Sequence, residues 1–271
     1  MKLPNYIEIE TSRYCNRHCE WCPNDVLKNR TVQELMPWSH FEKIVRSLSN
    51  REYSGWFAFH NYNEPLANPR IVQELRFARE GLKRAKLTIF TNGDYLTSEM
   101  FSSVVSAGLT QMRVTVYPQT SEQAVSHSDL WTWLEGKSFL KTKDWKEVFV
   151  RQGPALELAG NPEIILVRPL VQKYYDRGGT IPFLSIENRT MPCFLTSNSL
   201  SVDYRGDIKM CCNVVSGSDC HQKYVLGNVR DHDLIEVWNS QGFESLRELH
   251  RKADWSKTPI CKTCRQEMNS S

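Results

Sequence analysis

The chain has 271 residues, 34 Lys and Arg against 31 Asp and Glu, a formal charge of +3 and a pI near 8.3. Hydrophobic residues make up 40% and charged residues 24%, which suits one large or two modest globular domains with a sizeable core. The basic excess is too small and dispersed for a nucleic-acid surface, no apolar run approaches the ~18 residues that span a bilayer, and Met1 to Glu10 lacks a signal-peptide core. The expected protein is cytoplasmic, with no nucleic-acid or membrane partner.

In chain order, Tyr6 to Glu10 (YIEIE) alternates apolar and polar residues and reads as a strand. Ser39 to Glu42 reads as a capping box opening a helix with Phe41, Ile44, Val45 and Leu48 on its apolar face. Trp56 to Phe59 reads as a second strand. Asn68 and Pro69 read as the cap and first-turn proline of a helix carrying Ile71, Val72, Leu75 and Phe77. Leu87 to Phe90 is a third strand, Thr97 to Leu109 a helix capped by Thr97, and Met112 to Val116 a fourth strand. Gln119 to Asn161 is expected to be helix and loop, and Ile164 to Val167 a further buried strand. A hairpin turn at Asp203 to Gly206 and a short helix from Asp233 to Trp238 follow. Strands alternating with helices predict an α/β fold, a partial (β/α) barrel with its chemistry at the C-terminal strand ends. A change of texture near Glu187 to Met191 divides the chain into residues 1–188 and a small α+β domain, 189–271.

Nine cysteines cluster towards the two ends: Cys15, Cys19 and Cys22, then Cys193, Cys211, Cys212, Cys220, Cys261 and Cys264. An odd count without an export signal fits metal ligation better than a disulfide framework. Cys15 to Cys22 form a C-x3-C-x2-C run directly after the first strand. Three thiolates on one short loop can bind three irons of a [4Fe–4S] cluster and leave the fourth iron open. A zinc site with His18 as fourth ligand is the alternative that spacing leaves standing.

Cys15, Cys19, Trp21 and Cys22 match the C-x3-C-x-aromatic-C hallmark, and the chain resembles the radical S-adenosylmethionine (SAM) superfamily. The resemblance implies that the open iron chelates the amino and carboxylate groups of SAM, and that reductive cleavage releases a 5′-deoxyadenosyl radical. Tyr62-Asn63-Glu64-Pro65 is similar to the family's G-E-P segment, implying that Tyr62, Asn63 and Glu64 face the methionine ammonium. Asn63 stands where the family has glycine, and Asn tolerates a positive φ. Thr91-Asn92-Gly93 resembles the family's T-N-G after the third strand, implying further SAM contacts, with Thr115 at the end of the fourth strand as another.

Cys193, Cys211, Cys261 and Cys264 resemble the twitch, or short SPASM, type of auxiliary domain, implying a second [4Fe–4S] cluster, with Gly206 in a hairpin between the first two. Four thiolates would equally satisfy zinc, and Cys212 competes with its neighbour Cys211 for the ligand role. The likeness runs from the first strand to Cys264. Within the superfamily it is to a cyclitol dehydrogenase of antibiotic biosynthesis, whose R-G-G is echoed by Arg177-Gly178-Gly179. That implies oxidation of a secondary alcohol of a cyclitol, aminocyclitol or sugar to a ketone, with the auxiliary cluster taking the electron of a ketyl radical. Arg177 is expected to hold the substrate. Arg168 and Lys173 are basic neighbours, and His60 and Asn61 end the second strand near the pocket. An external one-electron reductant such as flavodoxin or ferredoxin completes the expected partners. The main alternative is an epimerase that returns a hydrogen atom from Cys212 or Cys220. A peptide-modifying enzyme is disfavoured because the chain begins at the first barrel strand, and a non-catalytic zinc or electron-transfer protein would not need Glu64, Thr91 and Asn92 in that order.

Overall fold

The computed structural model describes residues 1–26, 33–118, 125–142, 144–170, 174–181, 183–184 and 188–265. Lys173 and Glu187 lie outside the described residues. β1 (Tyr6–Ile9) is followed by α1 (Pro23–Val26) and α2 (Trp38–Ser49). Then come β2 (Trp56–Phe59), α3 (Ile71–Gly81), β3 (Lys86–Thr91), α4 (Ser98–Ser106), β4 (Gln111–Thr115) and α5 (His127–Glu135). β5 (Lys146–Val150), β6 (Gly153–Leu158) and β7 (Glu163–Val167) precede α6 (Leu195–Asn198), β8 (Ser199–Val202), β9 (Asp207–Lys209), β10 (Val225–Asn228), α7 (Leu234–Trp238) and α8 (Gln241–Arg251).

The ten strands of the described residues form one sheet in the order β10-β9-β8-β1-β2-β3-β4-β7-β6-β5. From β8 through β1, β2, β3 and β4 to β7 the pairs are parallel, and both flanks are antiparallel. The sheet is continuous across the textural change near residue 188, because β8 pairs with β1.

Strand alternation assigns the two faces. Ile7, Ile9, Phe57, Phe59, Leu87, Ile89, Met112 and Val114 pack under Phe41, Ile44 and Leu48 of α2 and Leu75 of α3 in one buried core. Truncating the fully buried Phe57 to Ala should cost about 3–5 kcal/mol. The intervening residues put charge on the other face: Glu8, His60, Phe90 and Arg113 make a row across β1 to β4. Glu8 Oε1 lies 3.2 Å from His60 Nε2, the His60 and Phe90 rings are 4.3 Å apart, and the Arg113 guanidinium sits 5.6 Å from the Phe90 ring.

Several local expectations shift. α2 starts at Trp38 with Pro37 in the cap position and no side-chain cap, so Ser39 and Glu42 lie inside the helix. α3 starts at Ile71; Asn68 instead accepts from Arg70 N–H at 2.9 Å and donates to Glu74 and Thr11, each at 2.9 Å. In 119–161, where helix and loop were expected, α5 is followed by the antiparallel pair β5–β6, which extends the sheet edge beyond β7. The β8–β9 hairpin turns at Gly206 with φ +88°, as the Asp203–Gly206 sequence predicts. Asp233 caps α7 by accepting from the N–H groups of Ile235 and Glu236. α8 was not anticipated; it buries Phe243, Arg247 and His250 at helical spacing.

Candidate active site

The loop after β1 carries Cys15, Cys19 and Cys22, all half-buried, and turns through a Cys22 N–H to Cys19 carbonyl bond of 2.9 Å before α1 begins. The loop after β3 fastens it. Asp94 accepts from Asn16 Nδ2 at 2.7 Å and from Arg17 Nε and Nη2 at 2.7 and 2.5 Å, while Asn92 Nδ2 donates to Asn16 Oδ1 at 2.9 Å. Three of these four bonds end on the carboxylate and are charge-assisted. Asp94 was missed by sequence reasoning, although its place directly after Thr91-Asn92-Gly93 was a signal. Trp21 is buried between Tyr174 and Tyr117, with ring centroids 5.9 and 6.1 Å away.

The loop after β2 presents Tyr62, Asn63 and Glu64, all buried. The Glu64 carboxylate accepts from Leu66 N–H at 3.0 Å, Thr91 hydroxyl at 2.6 Å and Asn92 N–H at 2.7 Å. It clasps the ends of β2 and β3 and leaves one of its roughly four acceptor positions unused. Burial pushes its pKa up to about 7, against the pull of those three donors. Asn63 Nδ2 donates to Ser12 Oγ at 3.2 Å, whereas Asn63 Oδ1, the Tyr62 hydroxyl and Trp21 Nε1 are buried without a hydrogen-bond partner among the described residues. The Tyr62 carbonyl accepts from Asn24 Nδ2. The positive φ expected at Asn63 belongs instead to Asn61, at +138°, which costs about 1–3 kcal/mol. Asn61 Nδ2 in turn donates to the Cys212 carbonyl at 3.0 Å, tying the barrel to the C-terminal region. Thr115 ends β4, half-buried, paired with Val167 of β7.

Cys193, Cys211, Cys212 and Cys261 share one buried cluster with Met210, Tyr224 and Trp255, and Cys264 is also buried. Burial pushes the Cys211 thiol up, and the neighbouring Cys212, Cys261, Cys264 and Cys193 add to the rise. Burial also raises Cys212, with Glu8 adding to the rise and Arg177 and Lys209 opposing it. Cys220 is apart from both groups: exposed, with its Sγ 3.1 Å from Ser218 Oγ. Among the described residues no three His, Cys, Asp or Glu side chains converge tightly enough to hold a single metal ion.

Arg177 (φ +50°), Gly178 (φ +70°) and Gly179 (φ +88°) make a left-handed turn. A Cβ on Gly178 would lie 3.0 Å from His221 Nε2. The turn directs Arg177 Nη1 to Asn213 Oδ1 at 2.8 Å and Tyr175 hydroxyl at 3.2 Å, over the Tyr175 ring, while Arg177 Nε is buried without a hydrogen-bond partner among the described residues. Arg168 is buried and structural, bonded to Asp129 and the Val116 carbonyl. His60 lies in the row beside Glu8.

Residues 9–129 match the Radical SAM superfamily and residues 193–265 match SPASM, an iron–sulfur cluster-binding domain. The S-adenosyl-L-methionine-dependent 2-deoxy-scyllo-inosamine dehydrogenase of Niallia circulans is 27% identical over 266 residues, 97% of this chain and 93% of that protein. The crystal structure of BtrN in complex with AdoMet and 2-DOIA superposes with a TM-score of 0.74 at 24% identity, covering 98% of this chain and 94% of BtrN. Streptococcus suis SuiB bound to S-adenosylmethionine gives 0.51 at 15% identity over 96% of this chain and 72% of SuiB. The chain thus carries a Radical SAM domain over residues 9–129 and a SPASM iron–sulfur cluster-binding domain over residues 193–265.

Proposed function

We propose that this chain is a radical-SAM dehydrogenase that oxidises a secondary alcohol of a cyclitol, aminocyclitol or sugar to a ketone. The observation that carries the reading is the juxtaposition of the C-terminal thiols with the barrel groups: Asn213 accepts from Arg177 Nη1 at 2.8 Å and donates to Cys264 Sγ at 3.7 Å, and Asn61 at the end of β2 donates to the Cys212 carbonyl at 3.0 Å. An electron acceptor held by those thiols would adjoin the place where a substrate meets Arg177. End-to-end similarity to a dehydrogenase of an aminocyclitol supports the same reading.

The residues fit the groups they would hold. Cys15, Cys19 and Cys22 would bind the catalytic [4Fe–4S] cluster, and Cys193, Cys211, Cys261 and Cys264 the auxiliary one, the last four all buried. SAM is expected against Trp21, Tyr62, Asn63, Glu64, Thr91, Asn92 and Thr115. Its ammonium matches the buried, unpartnered Asn63 Oδ1 and the remaining acceptor position of Glu64. Bound there, SAM and the two clusters supply a hydrogen-abstracting radical and an acceptor for the second electron.

The chain's own groups position the substrate. Arg177 steadies a hydroxyl and its developing negative charge, Glu8 with His60 offers a base on the inner face, and Trp21, Tyr117 and Tyr174 keep water from the reacting carbon. Residues 1–188 serve as the barrel and 189–271 as the auxiliary domain, working with an external reductant of the flavodoxin or ferredoxin kind in the cytoplasm. No helix among the described residues is long and apolar enough to cross a membrane. A second reading, epimerisation with Cys212 or Cys220 as the hydrogen-atom donor, is favoured at Cys212, which is buried and tied through its carbonyl to Asn61, whereas Cys220 is exposed.

The test is anaerobic reconstitution followed by incubation with SAM, a one-electron reductant and a panel of cyclitols, 2-deoxy-scyllo-inosamine among them. The expected result is 5′-deoxyadenosine with an equimolar ketone. Zinc without iron in the purified protein, or no ketone from any polyol, would overturn the proposal.

A further inference from the structure

Asn213, 3% exposed, joins the two halves of the site. Its Oδ1 accepts from Arg177 Nη1 at 2.8 Å and from the Tyr175 hydroxyl at 2.9 Å, and its Nδ2 donates to Cys264 Sγ at 3.7 Å. A guanidinium can only donate, so the amide atom facing it is the oxygen, and the NH2 group is left pointing at the sulfur. Two donors on the carbonyl polarise the amide and strengthen its N–H as a donor, in surroundings where water does not compete. An N–H···S bond favours negative charge on the sulfur, and hydrogen bonds to cluster sulfurs are among the factors that set reduction potential.

We propose that Asn213 is a positioning residue that couples Arg177, at the substrate end of the site, to the redox poise of the auxiliary cluster through Cys264. This rests on the reading of Cys264 as a ligand of that cluster. Asn213 raises the cluster's potential and makes it a better acceptor. Arg177 acts on the same potential from one bond further away, by holding the amide carbonyl. The substrate-binding guanidinium and the acceptor are then parts of one hydrogen-bonded chain, Arg177–Asn213–Cys264.

The experiment uses the full-length chain with Cys15, Cys19 and Cys22 all replaced by Ala, reconstituted anaerobically so that only the auxiliary cluster remains. Its midpoint potential is read by redox titration followed by electron paramagnetic resonance. In this background Asn213→Leu keeps about four irons per chain. It lowers the midpoint by the equivalent of a tenfold change in the reduced-to-oxidised ratio, about 59 mV for a one-electron couple. Arg177→Ala shifts it in the same direction by less, and Asn213→Gln, which restores an amide donor, recovers part of the loss. An unchanged midpoint in iron-replete Asn213→Leu overturns the proposal. Should the leucine variant fail to hold iron, Arg177→Ala decides: a loaded cluster with an unchanged midpoint overturns the coupling. Absence of iron from the parent triple variant would instead contradict the auxiliary-cluster reading itself.

Discussion

Lys209→Met should be among the most destabilising single changes available outside the apolar core. Lys209 ends β9 and reaches across to β1, where its Nζ lies 2.8 Å from Glu10 Oε1; the two side chains are 1% and 7% exposed. Burial pushes the Glu10 pKa up, and Lys209 pulls it only part of the way back. Removing the lysine therefore leaves a carboxylate buried without its counter-charge, which costs about 3–5 kcal/mol. That is a large share of the ~5–15 kcal/mol by which such proteins are stable. At about 2–4 °C per kcal/mol for chains of this order of size, the unfolding midpoint should fall by roughly 6–20 °C. The raised pKa of Glu10 means that the folded chain holds this proton more tightly than the unfolded chain. Stability from this group is thus greatest in acid and is lost as pH rises through the folded value. With the lysine gone that value rises further, so the deficit should shrink as pH falls and Glu10 protonates. Anaerobic urea denaturation of wild type, Lys209→Met and the double variant Glu10→Leu/Lys209→Met measures all of this, and the double variant should recover most of the loss. A deficit under about 1 kcal/mol, or one that does not change with pH, would refute the reasoning.

Asp94→Ala removes the three hydrogen bonds that hold Asn16 and Arg17. Because the pair is about one-third exposed, the stability cost should stay near 1–2 kcal/mol, but iron bound by the N-terminal cysteines should drop measurably in reconstitution assays. Glu64, ionised above its pKa of about 7, should make SAM binding tighten from about pH 6 to about pH 8. Ionisation of this one group rises from about a tenth to about nine-tenths over that range, so the gain should approach but not exceed about tenfold, and Glu64→Gln should flatten the profile in equilibrium dialysis. Cys220→Ala should keep wild-type ketone formation, whereas Arg177→Ala should lose most of it with SAM cleavage partly retained.

The parallel strands were legible because Tyr6–Ile9, Trp56–Phe59 and Leu87–Phe90 combine short apolar or alternating runs with turn chemistry on both sides. The β5–β6 pair was not, because Lys146–Val150 is a largely exposed edge strand and Gly153–Pro154 reads as a breaker rather than as a strand start. Helix starts slipped at Pro37 and Arg70 because Asn68 and Ser39, good caps in isolation, are used for tertiary contacts or lie within the helix. Within the site, the cysteine spacing and Thr91-Asn92-Gly93 could be read directly. The clasp by Asp94, the two bonds that Glu64 accepts from Thr91 and Asn92, and the Asn213 bridge could not, since each joins residues at least 27 positions apart.

The central claim, loss of two hydrogens from a substrate alcohol through a radical without return of a hydrogen atom, is tested most directly by mass. The reconstituted enzyme should be run in heavy water with SAM, a reductant and an accepted cyclitol, and the product weighed after carbonyl trapping. The account predicts a ketone two hydrogens lighter than the substrate, with no carbon-bound deuterium at the oxidised position. A product of unchanged hydrogen count carrying one solvent deuterium, and lost in Cys212→Ala, would contradict it and identify an epimerase.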